Sequence, residues 1–319
     1  MLPVWCFGEV LIDFLTIGQQ QEASLRLPEY RQYPGGAPAN AAVAVAKLGG
    51  QAGMIGQVGA DQFGQFLRAS LAANGVDTSR LLEHPQALTP LAFVLLDASG
   101  ERSFEFYRRD SADLLFAQQD WQAEWFAQPG MLHLCSNTLT EAGIRAVSMH
   151  GVQLAKQAGW LVSVDVNLRA NLWPQHQLDI PAILALCAQA DVLKVSRDEL
   201  DALGGEALIA TWRQAGARLI LVTDGGQPLH YYSQEAQGVL AAPAVKAVDT
   251  TAAGDSFSGA VLYGLSRCLP TNPALWQQQV ELEALLAFAL ACGAHTVTRP
   301  GAIPALPCFA DVSHAWQLA

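Results

Sequence analysis

PANAAVAVAKLGGQAGMIGQV, Pro38–Val58, is the stretch that sets the architecture. A helix runs from Pro38 to Leu48. Pro sits near its start, where a missing N–H matters least, and Gly49-Gly50 mark its end. A strand-like apolar run, Ala52–Val58, follows at once. Upstream, Val4–Val10 reads as another short strand. A strand, a helix and a strand in that order form a βαβ unit with parallel strands. The alternation continues downstream. Gln62–Ala73 is helical and stops before Asn74-Gly75; Met131–Cys135, Leu161–Asp165, Asp191–Val195 and Arg218–Thr223 are strand-like; Glu141–Ala158, Leu178–Gln189 and Glu206–Ala215 are helical. The last third is mostly helix, at Asp255–Cys268 and Gln277–Cys292. This pattern predicts an α/β fold with a mostly parallel central sheet covered on both faces.

Two segments depart from it. Asp13–Tyr33 has polar runs without helical period. Pro90–Tyr107 reads as a hairpin, LAFVLL and RSFEFY around the turn Asp97-Ala98-Ser99-Gly100, with Phe104 and Phe106 alternating. These pieces are expected to pair into a small sheet beside the main one, either a lid over a cleft or an edge extension. No repeat or linker divides the chain, which is expected to be one domain, 1–319, with a lid at about 13–33 and 88–110.

The 319 residues are 51% hydrophobic and 15% charged, which excludes disorder. A formal net charge of −11, with only four lysines (47, 156, 194 and 246), argues against nucleic acid or anionic membrane as partner. The opening MLPVWCFGEVLIDFL lacks a basic segment and carries Glu9 and Asp13, so a signal peptide is not expected. The apolar stretch near Ala284–Ala294 is short of the roughly 20 residues a membrane span requires. Six scattered cysteines without a CxxC pair fit reduced thiols in a cytoplasmic protein.

GxxxxGK[ST], GxGxxG, HExxH and GxSxG are all missing, which disfavours P-loop kinases, common dehydrogenases, zincins and α/β-hydrolases. The strongest positive signal is Asp249-Thr250-Thr251-Ala252-Ala253-Gly254-Asp255, a small-residue turn that enters a helix. Unpaired N–H groups and the helix dipole make such an entry an anion site. Asp255 is placed there either as a reactive carboxylate or as an N-cap, since Asp is a favoured cap. The second signal is Gly35-Gly36-Ala37-Pro38-Ala39-Asn40. Paired glycines let a ligand approach the backbone, and an Asn in an Ala/Val helix suggests a hydrogen-bonding task, or an incidental surface amide.

Together these segments resemble the two signatures of the PfkB-type sugar kinases, the ribokinase family. The resemblance spans nearly the whole chain and includes Gly8–Asp13, Gly56–Asp61, Asp165–Arg169 and Thr298–Pro304, in that order. Within the family, GEVLIDF, the helix signature, Phe106–Leu115 and Leu193–Leu200 look most like fructokinases. The resemblance implies a three-layer ribokinase-like fold with a β-sheet lid, and an ATP-dependent phosphotransferase acting on a small sugar. It makes Asp255 the general base and the turn Ala252, Ala253, Gly254 the anion hole. Asp13, Gly35, Gly36 and Asn40 match sugar-binding positions, and Arg108 and Arg169 match further substrate contacts. Lys194, Ser196, Thr223, Gly225 and Gly226 fall where the family holds the nucleotide. Glu199 matches the acid that organises Mg²⁺ through water. Asp249, Thr251, Arg299 and Gly301 resemble a monovalent-cation loop that takes K⁺. A homodimer through paired lids is also implied.

Two positions depart from the family pattern. Ala252 replaces the first glycine of the usual GAGD and is expected to keep a negative φ. Ser196 replaces the asparagine of NxxE, and its hydroxyl is expected to hold a water. D-Fructose is the expected substrate. A 2-keto-3-deoxygluconate or aminoimidazole riboside kinase is the alternative within the family, and an inactive sugar or nucleotide sensor the alternative outside it.

Overall fold

The computed structural model describes residues 1–96 and 102–318. The strands are β1 (Val4–Phe7), β2 (Leu11–Glu22), β3 (Leu25–Gly35), β4 (Ala52–Gly59), β5 (Asp77–His84), β6 (Leu91–Leu96), β7 (Arg102–Tyr107), β8 (Met131–Cys135), β9 (Leu161–Asp165), β10 (Val192–Ser196), β11 (Leu219–Thr223), β12 (Leu229–Ser233) and β13 (Gln237–Leu240). The helices are α1 (Ala37–Lys47), α2 (Gln62–Ala73), α3 (Ala142–Gln157), α4 (Ile180–Cys187), α5 (Arg197–Leu203), α6 (Ala207–Ala215), α7 (Ala253–Cys268), α8 (Gln279–Val297) and α9 (Phe309–Val312).

Nine strands form the main sheet in the order β13-β12-β11-β10-β9-β8-β1-β4-β5. The seven from β11 to β5 are parallel; β12 and β13 join antiparallel at one edge. Each parallel strand feeds both layers, because successive side chains point to opposite faces. Val4 and Cys6 of β1 enter the core under α1, α7 and α8, whereas Trp5 and Phe7 enter the other. Leu219 and Leu221 of β11 divide from Ile220 and Val222 in the same way.

The polar segment after β1 and the Pro90–Tyr107 region pair as expected into a second sheet, β3-β2-β6-β7. Its middle pair, β2 with β6, is parallel, from Ile12↔Leu91 to Leu15↔Val94. The expected turn Asp97-Ala98-Ser99-Gly100 lies outside the described residues, as does the side chain of Phe104.

Several expectations change. Strand β1 stops at Phe7, because Gly8 takes φ 145° and turns the chain. Helix α8 runs 19 residues and by length and composition could cross a membrane. In the fold it carries Glu281 and Glu283 and buries Leu282, Leu285, Leu286 and Phe288 in the core. All six cysteines are free thiols.

Glycine sets one packing distance that the site depends on. A Cβ on Gly259 would stand 2.5 Å from the Ala44 Cβ and 2.9 Å from the Ala41 carbonyl oxygen. Without it, α7 lies directly against α1.

Candidate active site

That close approach joins the two segments singled out in the sequence. Asn40, buried in the first turn of α1, donates from Nδ2 to Asp255 Oδ2 at 2.8 Å. Asp255 is therefore not a cap: the N-cap of α7 is Ala252, and no side chain caps the helix. Desolvation raises the Asp255 carboxyl to about 6; the Asn40 bond, Lys194 and Arg169 pull it down, and Asp165 pushes it up. The first α-helical bond of α7 runs from the Ser256 N–H to Ala252 O at 2.8 Å, so the N–H groups of Gly254 and Asp255 lie before the helical ladder begins.

The expectation for Ala252 is corrected. Its φ is +58°, in the left-handed region, because the chain must reverse there to enter α7. Left-handed backbone costs a non-glycine residue about 1–2 kcal/mol. Ala252→Gly relieves this and loses part of the gain to unfolded-state entropy, leaving about 1 kcal/mol of stabilisation. Thermal denaturation should show Tm rising by about 2 °C; an unchanged or lower Tm refutes the strain.

On the other side of Asn40 lie the small-sheet residues. Asp13, in β2, is raised to about 7 by desolvation and by the charges of Asp255 and Glu9. Gly35 makes its room: a Cβ there would stand 2.1 Å from Asp13 Oδ2. Gly36 takes φ 104° at the N-cap of α1, and a Cβ there would stand 2.4 Å from the Glu9 carbonyl oxygen. Arg108 is buried. Its Nε meets Asp113 Oδ2 at 2.6 Å, and Nη1 donates to the Asn137 carbonyl at 3.0 Å. Arg169 is exposed, and its charge acts on Asp255.

Lys194 projects from β10 to Asp165 at the end of β9, with Nζ 2.9 and 3.1 Å from the two carboxylate oxygens. Ser258 donates to the same carboxylate at 3.0 Å. A Cβ on Gly254 would lie 3.1 Å from Lys194 Nζ, so the ammonium sits behind the turn Ala252–Gly254. Ser196 caps α5: its Oγ accepts the Glu199 N–H at 3.2 Å. Glu199 in turn accepts the N–H of Ser196 and of Leu168, each at 2.8 Å.

A cavity of about 430 Å³ opens beyond the turn. Of the five residues expected at the nucleotide, Thr223, Gly225 and Gly226 line it, with Ala253 and Gly254 in the same wall; Lys194 and Ser196 do not line it. Its apolar walls, including Val245, Phe257, Ala294 and Val297, were not foreseen, since apolar residues on α7 and α8 look like ordinary core in a sequence. Among the described residues, no three His, Cys, Asp or Glu side chains could together hold a metal ion. The resemblance implies a divalent ion reached through water rather than by direct ligation. Glu199 suits that, since each carboxylate oxygen has a second lone pair beside its backbone bond.

Asp249 ties two loops together. Oδ1 accepts the Thr251 N–H and hydroxyl at 2.9 and 2.7 Å, and Oδ2 accepts the Gly301 N–H at 2.7 Å. Asp13, Asp249, Thr251 and Gly301, together with Leu15, Tyr33, Val94 and Ala302, line a small space of about 30 Å³, enough for one water. Arg299 is exposed and turns to His295, Nη1 to Nδ1 at 3.5 Å.

A family model described as pfkB family carbohydrate kinase matches residues 1–308. Fructokinase-1 of Oryza sativa subsp. japonica is 42% identical over 313 residues, 96% of this chain and 95% of its own. A fructokinase from Xylella fastidiosa solved with bound ATP superposes with a TM-score of 0.90 at 40% identity, covering 99% of this chain and 98% of its own. A fructokinase double mutant from Vibrio cholerae O395, bound to fructose, ADP and a potassium ion, gives a TM-score of 0.86 at 32% identity over 99% of each chain. The chain belongs to the pfkB family of carbohydrate kinases.

Proposed function

We propose that the chain is an ATP-dependent fructokinase that phosphorylates the 6-hydroxyl of D-fructose. The observation that carries this is the Asn40–Asp255 pair, set between Asp13 and the wall of the 430 Å³ cavity. Asp255 takes the proton of the attacking hydroxyl, and a carboxyl raised to about 6 is a stronger base than an ordinary one while still ionised at neutral pH. Asn40 holds the carboxylate in place. Asp13, Gly35 and Gly36 form the sugar floor, where acceptors and backbone suit a ligand made of hydroxyls. The turn Ala252–Gly254 receives charge on the transferred phosphoryl through the N–H groups of Gly254 and Asp255, since that of Ala253 already donates to the Thr250 carbonyl at 3.3 Å, and Lys194 stands behind them. Thr223, Gly225 and Gly226 hold the nucleotide, with Ser196 as the cap that shapes its neighbourhood. Glu199 would hold Mg²⁺ through water, and the ion would neutralise charge on the phosphates; the loop of Asp249, Thr251, Arg299 and Gly301 would take K⁺, with the Arg299 side chain itself turned away to His295.

ADP release in parallel assays of D-fructose, 2-keto-3-deoxygluconate, ribose and an aminoimidazole riboside tests the substrate. The expected kcat/KM for fructose exceeds each of the others by about 10-fold or more, roughly 1.4 kcal/mol of differential transition-state binding. Preference for another sugar overturns the substrate, and no sugar-dependent turnover favours the sensor.

We further propose that the whole chain acts as one cytoplasmic kinase domain whose small sheet is a lid, and that two lids pair in a homodimer. The small sheet exposes Ile17, Leu25, Leu27, Tyr30 and Tyr107, the apolar area such pairing would cover. Light scattering should give twice the 34.1 kDa chain mass; a monomer at working concentration refutes the pairing.

A further inference from the structure

Glu9 has no role in the mechanism above, yet it is one of the most enclosed charged residues, 2% exposed. It lies between the end of β1 and the start of β2. Its Oε1 accepts the N–H of Ala37, the first residue of α1, at 3.3 Å, and Nδ2 of Asn137 at 3.1 Å. Its Oε2 is buried without a partner among the described residues. The Asn137 carbonyl accepts Arg108, which directly follows β7. Glu9 therefore stands where three strand ends of the small sheet enter the body: before β2, after β3 and after β7. From Ala37 the path to the reacting carboxylate is short. Asn40 closes the first turn of α1 onto the Gly36 carbonyl at 2.9 Å and reaches Asp255 with its amide.

We propose that Glu9 is a positioning residue of the phosphoryl-transfer site: it fixes the first turn of α1, and with it Asn40 against Asp255, and ties that turn to the ends of the small-sheet strands. The physical reason is the α1 N-terminus. The N-cap residue offers no side chain to cap the helix: it is Gly36, at φ 104°, which glycine adopts freely. A buried carboxyl oxygen accepting the first N–H replaces the missing cap; burial pushes the Glu9 carboxyl up while Arg108 pulls it down, so the acceptor oxygen rather than full charge is what the helix needs. The inference rests on the kinase reading, because its main readout is phosphoryl transfer.

The test uses the full chain with fructose and ATP, with rates normalised to folded protein by denaturant titration. Glu9→Ala is expected to lower kcat by on the order of 10²-fold, the scale of a misplacement of about 1 Å, with little change in KM for ATP. Glu9→Gln keeps an acceptor oxygen toward Ala37 and is expected to recover most of the rate. In an Asn40→Ala background the Glu9→Ala loss is expected to shrink sharply, because the two act through one contact. If Glu9→Ala does not fold, Asn137→Ala, which removes the amide that holds Oε1, should show the same kcat loss and the same non-additivity. Normal kcat per folded molecule, full additivity with Asn40→Ala, or a Gln variant as slow as Ala would each overturn the proposal. Wild-type protein without sugar-dependent turnover would instead overturn the kinase reading, an outcome separate from these.

Discussion

Asp255→Asn should lower kcat by about 10²–10⁴-fold while ATP affinity stays nearly unchanged. The amide is close in size, and α7 needs no carboxylate there, since Ala252 rather than Asp255 holds the N-cap position. Stability should therefore hold, and the loss should be chemical. The pH profile adds a second readout. Desolvation and the like charge of Asp165 lift the Asp255 carboxyl from 3.8 to about 6, and Asp13 beside it is lifted to about 7. Only the ionised base accepts a proton, so kcat/KM is present at higher pH and lost as pH falls through these values. The two carboxyls act on each other, so the acid limb belongs to the pair. The wild-type limb should appear between pH 6 and 7, well above that of an ordinary aspartate. A near-normal kcat in the Asn variant, or a limb near pH 4, would remove Asp255 from the role of base.

The sequence displayed what is local and periodic. The strand–helix alternation from Val4 to Thr223 emerged as the parallel sheet, because apolar runs feeding two buried faces look the same at every step. The β2–β3 piece stood apart because its polar runs lack the helical period, and the β6–β7 piece because its alternation around a turn marks a hairpin. The edge strands β5, β12 and β13 were not read. Asp77–His84 carries charges on a half-exposed edge, and Gln237–Leu240 is only four residues long. At the site, Asp255 stood out because a small-residue turn enters a helix there, and Asn40 because it is an amide in an Ala/Val helix. Their mutual bond spans 215 residues and depends on Gly259, so no local pattern could show it. Glu9 and Asp165 were invisible for a related reason. Each was quoted within a motif, but its partners, Ala37 and Asn137 for Glu9 and Lys194 and Ser258 for Asp165, come from distant segments. The sign of φ at Ala252 is likewise set by how the loop must enter α7.

Asp113→Ala should destabilise the fold by about 3–5 kcal/mol, the range for removing one partner of a buried ion pair. Arg108 and Asp113 have side chains 6% and 1% exposed and meet at 2.6 Å. Ser111 donates to the other Asp113 oxygen at 2.5 Å. Desolvation works against the Arg108 cation, but Asp113 and Glu9 outweigh it and hold the guanidinium above its ordinary range. Alanine at 113 leaves that cation enclosed, with the uncharged Asn137 carbonyl and Thr140 hydroxyl as its remaining hydrogen-bond acceptors in this network. Urea denaturation reads the loss, and Arg108→Met combined with Asp113→Leu should return part of it, because two apolar side chains of similar volume replace the ion pair, while Glu9 loses the cation that pulled its carboxyl down. The double variant also separates two roles for Arg108. If the guanidinium serves only to clamp the end of β7 to the segment at Asn137, the repaired protein keeps its KM for fructose. If Arg108 touches the sugar, as the family resemblance implied, KM rises although stability has returned. A single-variant loss below about 1 kcal/mol would mean the pair is solvated rather than buried, contrary to the geometry.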